Sequence, residues 1–224
     1  MRIFDGLFSY LGGKRKLAPR ILSLASGRTF ADPFMGGGSI SLLAKALGYR
    51  VLANDLAPQP ELVGHALLEN PGDITLSEAD LQALLVENDS ASDFWVKRSV
   101  DGYVLESVAR LVDNGAANLS RICHPVKREL LRLALVNFLR KSTGFGHVTK
   151  RASLRRVNKR DHDNAIETDF RAFPYAYLTT RNFIDTGLRL NNSVFGNGHR
   201  NEFHLSDASD FLRRIQADTV YLDP

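Results

Sequence analysis

An early stretch of the chain limits the folds that it can adopt. "TFAD" (29–32) and "RVLAN" (50–54) have the apolar character of buried strands. Between them, "PFMGGGS" (33–39) is a glycine turn, and "SISLLAKAL" (39–47) has helical spacing that ends at Gly48. Two strands joined by a crossover helix run parallel. The stretch therefore predicts a βαβ unit in an α/β protein with a parallel sheet.

Helical patterns dominate the next part of the chain. Residues 59–115 are predicted to be helical throughout, with "SEAD" (77–80) as a capping box. "PVKRELLRLALVNFLRK" (125–141) predicts an amphipathic helix. Periodicity then fails from Ser142 to about Asn201, a polar and turn-rich stretch that is too long for a passive loop. We interpret it as a small recognition insert.

Regular patterns return at the end of the sequence. "EFHL" (202–205) and "TVYLD" (219–223) predict strands, and "SDASDFLRRI" (206–215) predicts a helix. A short helix is also predicted within residues 14–25. We therefore expect one domain built from residues 1–60 and 200–224, with a helical region and insert at 61–199.

Composition and length exclude several classes of protein. The chain has 224 residues, 44% of them apolar, which is enough for one sizeable core. It has no apolar run long enough to span a membrane, and its first residues do not resemble a signal peptide. The single cysteine, Cys123, excludes an internal disulfide framework and a cysteine-rich zinc site. We expect a cytoplasmic protein with no membrane partner and no metal.

Positive charge is concentrated in one segment. Residues 121–160 contain twelve lysines and arginines and one acidic residue, Glu129, whereas the rest of the chain is net acidic. An acidic body with one basic region indicates a polyanion bound at one place. The alternative is a solvated basic face that balances an acidic protein.

The glycine turn has the chemistry of a cofactor loop. Glycine allows a backbone to approach a ligand closely, and the N-terminus of the following helix attracts anions. No lysine follows the glycines as in nucleotide hydrolases, and the spacing is not that of a dinucleotide site. Asp55 follows the second strand, where an acidic residue can accept hydrogen bonds from ribose hydroxyls. The alternative for Asp55 is a helix cap.

Five motifs occur in an order that resembles a known family. "YLGGKRK" (10–16), "DPFMGGGS" (32–39), "ND" (54–55), "SDASDFL" (206–212) and "YLDP" (221–224) are similar to motifs of the Dam-type DNA adenine N6-methyltransferases. The resemblance implies a Rossmann-like S-adenosyl-L-methionine (SAM)-dependent methyltransferase fold with a helical and irregular DNA-recognition insert. This chain would supply about four of about seven strands of that sheet.

The resemblance implies a cofactor site for SAM. Its expected residues are Tyr10 and Lys14 at the methionine part, Asp32 with the loop Phe34, Gly36 and Gly38 at the pocket floor, Asp55 at the ribose, and Asp207 at the adenine amine. A lysine beside the amino-acid carboxylate would form a charge-assisted pair. Tyr10 as a core residue and Lys14 as a solvated helix start are the alternatives.

The resemblance also implies a catalytic motif and a DNA substrate. Asp223 and Pro224 match the first half of Asp-Pro-Pro-Tyr, whose aspartate and first proline carbonyl accept hydrogen bonds from the target amine. The insert departs from the family pattern, so DNA contacts are inferred from charge alone. Phosphate contacts are expected from eight basic residues: Arg140, Lys141, Lys150, Arg151, Arg155, Arg156, Lys159 and Arg160.

The final residues raise a question about the active unit. The last predicted strand would be an exposed apolar edge, which favours pairing with another strand. We expect a chain truncated within its catalytic motif and inactive alone, with double-stranded DNA as partner. A complementing C-terminal chain, or self-association through the edge, would cover the strand. The alternatives are a non-catalytic DNA-binding module, a split-enzyme subunit, or an enzyme with another nucleoside cofactor.

Overall fold

The computed structural model describes residues 2–7, 12–99, 106–142 and 180–223. Tyr10, Pro224 and the predicted DNA-binding residues from Lys150 to Arg160 lie outside these ranges. The chain divides into two compact units, each with its own internal packing. The first unit is Met1–Thr75 with Arg189–Pro224, and the second is Leu76–Leu188.

A four-stranded parallel sheet forms the centre of the first unit. Its strands are β1 (Thr29–Asp32), β2 (Arg50–Asp55), β3 (Glu202–Leu205) and β4 (Thr219–Val220). The strand order is β3-β2-β1-β4, and all three pairings are parallel. Thr29 lies opposite Arg50 in the β1–β2 register. The predicted α/β class with a parallel sheet is confirmed, and the four predicted strands are present.

Short helices connect these strands. They are α1 (Ala18–Leu22), α2 (Ser39–Ala46), α3 (Pro58–Val63), which continues as a π-helical turn (Gly64–Leu68), and α9 (Ala208–Arg214). The helix α2 crosses between the paired strands β1 and β2 as the βαβ prediction requires. The core of β1 and β2 contains Phe30, Ala31 and Val51, each at most 1% exposed.

A buried lysine joins two helices of this unit. Lys45 in α2 is fully buried and donates hydrogen bonds to the carbonyl oxygens of Leu67 at 2.9 Å and Asn70 at 2.7 Å. Its ammonium also lies 5.0 Å from the ring centroid of Phe195. Burial lowers the pKa of Lys45 to about 8. These bonds satisfy carbonyls that the helix end leaves without intrahelical partners.

The second unit is helical where it is described. Its helices are α4 (Glu78–Ala83), α5 (Phe94–Ser99), α6 (Glu106–Asn118) and α7 (Pro125–Ser142), and most of α8 (Thr180–Leu190) belongs to it. Phe138 and Phe183 pack edge to face with their ring centroids 5.3 Å apart. The capping box predicted at Ser77 is confirmed, because Ser77 and Asp80 exchange side-chain to backbone bonds.

The prediction of continuous helix over residues 59–115 is wrong. The chain is not helical between Leu68 and Glu78 or between Ala83 and Phe94. In the first gap, the Asn70 side chain accepts a hydrogen bond from Gly72 N and donates one to Ile74 O. Such local side-chain bonds compete with the backbone hydrogen bonds of a helix.

Among the described helices, none is long and apolar enough to cross a membrane.

Candidate active site

A cavity of about 300 Å³ opens at the carboxyl edge of the sheet in the first unit. The residues that line it follow β1, β2 and β4 or precede α1: Gly12, Gly13, Lys14, Asp32, Phe34, Met35, Gly36, Gly37, Ser39, Ile40, Asp55, Tyr221 and Asp223. The chain adds β2 and then β3 on one side of β1 and places β4 on its other side, so the strand order reverses at β1. Parallel sheets bind ligands at such a switch in strand order.

The glycine turn after β1 forms one wall of this cavity. Gly36 and Gly38 have positive φ values of 51° and 76°, in the left-handed region that favours glycine. Gly38 also occupies the N-cap of α2, and a Cβ atom there would lie 2.9 Å from Cγ1 of Val63. The turn therefore needs glycine at position 38 for both its backbone conformation and its packing.

Asp55 fastens the glycine turn to the end of β2. Its Oδ2 accepts a hydrogen bond from Gly36 N at 2.9 Å. Its Oδ1 accepts bonds from Leu56 N at 2.8 Å and Ala57 N at 3.0 Å. A carboxylate has about four acceptor sites, so these three bonds leave about one for a ligand hydroxyl. Asp55 thus stabilises the glycine turn and also lines the cavity, a combination that the motif alone did not predict.

Asp32 is the most deeply buried carboxyl of the cavity wall. It is 1% exposed, and its Oδ2 accepts a 2.6 Å hydrogen bond from Ser41 Oγ. Its Oδ1 is buried without a hydrogen-bond partner among the described residues. Burial raises the pKa of Asp32 to about 7, against the opposing effect of the Ser41 hydroxyl.

Lys14 and Asp223 form an ion pair across the cavity. The Lys14 Nζ lies 2.6 Å from Asp223 Oδ2, and each side chain is about one third exposed. The same ammonium donates to Gly12 O at 3.1 Å. Burial raises the pKa of Tyr221 to about 12, and the nearby Asp223 carboxylate adds to this effect. Because of this ion pair, Lys14, which was predicted for the cofactor, and Asp223, which was predicted for catalysis, are direct neighbours.

Asn54 holds the loops that border the cavity. It is 1% exposed, and its Nδ2 donates hydrogen bonds to Pro33 O at 3.1 Å and Ser206 O at 2.9 Å. Its Oδ1 accepts from Ser206 Oγ at 2.8 Å. The side chain thus ties the ends of β1, β2 and β3 together, which keeps Asp32 and Asp55 at one edge.

The structure brings together most of the described residues predicted for the site. Lys14, Asp32, Phe34, Gly36, Asp55 and Asp223 line one cavity, and Gly38 supports it from the N-cap of α2. Asp207 is not among the described lining residues. It is the N-cap of α9, where its side chain accepts a 2.8 Å hydrogen bond from Ser209 N.

The predicted DNA-binding residues are described only in part. Arg140 and Lys141 lie in the last turn of α7, in the second unit. Burial lowers the pKa of Arg140. Other basic residues of α7 pair with acids: Lys127 contacts Asp80 at 3.0 Å, and Arg132 contacts Glu129 at 2.8 Å. Part of the charge of this segment is therefore balanced within the unit.

Sequence reasoning missed several residues of the site. Tyr221, Ser39 and Ile40 line the cavity, and Asn54 and Ser41 support its walls. Asn54 stands next to Asp55, within a motif that was recognised, so its position was available as a signal. Ser41 had no such signal, because a serine inside a helical pattern is usually a surface residue.

Comparison with known proteins gives this geometry a context. The chain is 29% identical over 220 residues to the Type II methyltransferase M2.HphI of Haemophilus parahaemolyticus. The match covers 96% of this chain and 64% of that protein, so the chain spans less than two thirds of the length of that relative.

A family match covers almost the whole sequence, including the glycine turn, the acidic cavity residues and the final motif. It extends over residues 10–224 and is to the D12 class N6 adenine-specific DNA methyltransferases. Both the order of the motifs and the cavity at the switch point agree with this match. The chain therefore belongs to the D12 class N6 adenine-specific DNA methyltransferases.

Proposed function

We propose that this chain, as the N-terminal part of a methyltransferase, methylates the N6 amine of adenine in double-stranded DNA with SAM as methyl donor. The observation that carries the proposal is the single cavity that joins the glycine turn, Asp55, Lys14 and Asp223 at the carboxyl edge of the sheet. By analogy with its relative, a type II methyltransferase, we propose that it modifies adenines at specific DNA sites.

The cavity has groups that suit each part of SAM. Asp55 has room for about one ribose hydroxyl after its three backbone bonds. Lys14 has three N–H donors, of which Gly12 O and Asp223 use two, so one remains for the amino-acid carboxylate. Asp32 has a buried oxygen without a hydrogen-bond partner in the described part of the chain, and a positively charged ligand would stabilise its ionised form. The lining therefore fits a nucleoside with a cationic amino-acid tail.

Asp223 is the proposed acceptor for the target amine. SAM, when bound, supplies a methyl group on a positively charged sulfur. Asp223 accepts a hydrogen bond from the adenine amine and so stabilises the positive charge that develops on nitrogen. With SAM bound, the amine nitrogen held by Asp223 would take the methyl group from that sulfur, which would become a neutral thioether, and the nitrogen would then give up one proton to water. The adenine must leave the base stack to reach this carboxylate.

DNA binding is proposed for the basic end of α7 and the residues that follow it. Arg140 and Lys141 belong to this group, as do Lys150, Arg151, Arg155, Arg156, Lys159 and Arg160. Contacts to phosphates would give affinity that falls with salt but little sequence preference. We therefore propose that residues 1–60 and 200–224 bind the cofactor and carry out the reaction, and that residues 61–199 bind the DNA.

The edge of β4 is a proposed pairing surface. Val220, in the strand, is 44% exposed, and Leu222, just after it, is 59% exposed. Apolar edge strands favour the addition of another strand. We propose that such a strand covers this edge in the active protein, from the same chain, a complementing chain or a second copy.

Expression of the gene in a host without adenine methylation tests the proposal. Genomic DNA would be digested to nucleosides, and N6-methyladenine would be measured by mass spectrometry. We expect N6-methyladenine when the wild-type chain is produced together with a segment that covers the β4 edge, and none when the chain carries Asp223→Asn in the same setting. Calorimetry would show that the Asp223→Asn protein still binds SAM.

Two outcomes would contradict parts of the proposal. A folded protein without affinity for SAM would remove the cofactor assignment. Affinity for SAM and salt-dependent DNA binding, with no N6-methyladenine even when the β4 edge is covered by a supplied segment, would favour a non-catalytic DNA-binding module.

A further inference from the structure

A buried carboxyl with an unused oxygen lies in the wall of the cavity. Asp32 is 1% exposed, and its Oδ2 is bound by Ser41 Oγ at 2.6 Å. Its Oδ1 has no hydrogen-bond partner in the ranges that the structure covers. An ionised carboxylate in such a position lacks the second partner that would offset its desolvation. The protonated form is therefore favoured in the absence of a ligand.

The charged neighbours of Asp32 strengthen this preference. Asp55 at the end of β2 and Asp223 after β4 both raise the pKa of Asp32, although burial is the larger cause. Lys14, the cation among the described lining residues, lies 2.6 Å from Asp223 and not in an ion pair with Asp32. Tyr221 also faces this group of carboxyls. The cavity thus has an excess of acidic groups.

The Ser41 hydroxyl has the largest effect that opposes protonation of Asp32, and the backbone N–H of Phe34 adds a smaller one. Ser41 is fully buried in α2, and its hydroxyl donates the hydrogen bond to Asp32 Oδ2. A donor to a carboxylate favours the ionised form, and this bond lowers the pKa of Asp32. Ser41 does not line the cavity among the described residues, so it acts on a ligand only through Asp32.

We propose that binding of a cationic methyl donor releases the proton of Asp32 to solvent, and that Ser41 is the positioning residue that sets the pH of this exchange. The inference rests on the proposed function, because it takes SAM as the ligand. The bound cation stabilises the ionised carboxylate, which becomes its counter-charge. The O–H bond of the carboxyl breaks, and the proton leaves to the buffer. Binding and proton release are thus one linked equilibrium.

The linkage has a definite direction. Below pH 7, where free Asp32 holds its proton, SAM affinity rises with pH by up to about tenfold per unit. Above that pH, affinity becomes independent of Asp32. If Asp32 is ionised in the complex, binding releases close to one proton well below pH 7 and few protons well above it.

Isothermal titration calorimetry of the purified protein tests this linkage. SAM would be titrated at pH 6, 7 and 8 in pairs of buffers with different ionisation enthalpies. The difference in heat between the two buffers counts the protons released. 5′-Methylthioadenosine, which has the nucleoside part but no formal charge, serves as the ligand control and is expected to release far fewer protons.

Three variants assign the proton to its source. Asp32→Asn is expected to remove the buffer dependence of the heat. Ser41→Ala is expected to move the midpoint of proton release to higher pH, because the hydrogen bond that favours ionisation is lost. Ser193→Ala, the same substitution at a buried serine of the same unit that bonds Gly6 N and is not among the described lining residues, is expected to leave the midpoint in place.

The possible outcomes separate this inference from the proposed function. SAM binding with equal heats in both buffers at every pH would overturn the inference and leave the proposed function intact. No SAM binding at all would overturn both. An unchanged midpoint in a folded Ser41→Ala protein would remove the role of Ser41. If Ser41→Ala does not fold, the wild type and Asp32→Asn still decide whether Asp32 releases the proton.

Discussion

Replacing Asp55 with alanine is expected to weaken both the glycine turn and cofactor binding. The carboxylate accepts three backbone hydrogen bonds, one of them from Gly36 in the turn. Its remaining acceptor site is proposed to take a ribose hydroxyl. Alanine removes all of these bonds, whereas asparagine keeps one acceptor oxygen for Leu56 and Ala57 and presents an N–H group to Gly36. The two variants therefore separate the roles of the side chain.

The expected magnitudes follow from the bonds that are lost. A hydroxyl bonded to a charged group contributes about 1.5–3 kcal/mol, so Asp55→Ala should weaken SAM binding by about 10- to 150-fold. In the absence of ligand, the part-buried Gly36 N–H loses its partner. This loss should lower the free energy of unfolding by about 1–2 kcal/mol. Asp55→Asn should lose less stability than Asp55→Ala, since the bonds to Leu56 and Ala57 remain.

Calorimetric titration with S-adenosylhomocysteine, together with urea unfolding of the ligand-free protein, measures both effects. Asp73→Ala, which removes an exposed carboxylate from the same unit, is the control and should change neither quantity. Wild-type affinity in a folded Asp55→Ala protein would remove Asp55 from the cofactor site. Lower affinity with unchanged stability would instead refute its role as the fastener of the glycine turn.

Four further substitutions test other contacts. Gly38→Ala should lower the free energy of unfolding by about 1–2 kcal/mol or more in urea, because φ is 76° and Val63 is close. Ser77→Ala should cost about 1 kcal/mol in the same assay through loss of the capping box. Between pH 7 and pH 9, the free energy of unfolding of wild type should rise by about 1 kcal/mol, a gain that Lys45→Met should not show. The reason is that folded wild type, with a Lys45 pKa of about 8, becomes neutral before the unfolded chain does. Finally, ligand-free wild type should lose stability from pH 4 to pH 7 more steeply than Asp32→Asn. Here the folded carboxyl, with a pKa of about 7, keeps a proton that the unfolded carboxyl, with its ordinary pKa of 3.8, has lost.

The centre of the sheet could be predicted from the sequence because β1 and β2 are buried on both faces. Such strands are nearly continuous apolar runs, as "TFAD" and "RVLAN" show, and turn residues bound them. The last strand is shorter than its pattern indicates, Thr219–Val220, although Tyr221 N still bonds Ala31 O at 2.9 Å. The pattern predicted the paired segment correctly, and only its assigned length differs.

The helical region was less predictable because side chains end its helices. Asn88 accepts from Ser90 N and donates to Asn118 Oδ1 at 2.8 Å, and Asn118 in turn donates to the carbonyl of Val86 at 2.7 Å. The two bonds of Asn118 join residues 30 and 32 positions apart, so periodicity within a short window of sequence does not reveal them. The helices before and after this network are therefore recognisable, but the breaks between them are not.

The site shows the same limit in its charges. Motifs predicted Lys14 for the cofactor and Asp223 for the target amine, as if the two roles were independent. Their 2.6 Å ion pair makes them one electrostatic unit, since removal of either changes the charge that the other faces. The sequence could not reveal this pair, because its members lie at opposite ends of the chain and meet only through the pairing of β1 with β4. An effect of Lys14 on catalysis, or of Asp223 on cofactor affinity, would therefore follow from their contact. Only the comparison of both single variants with the double variant separates the contact from each residue's own role.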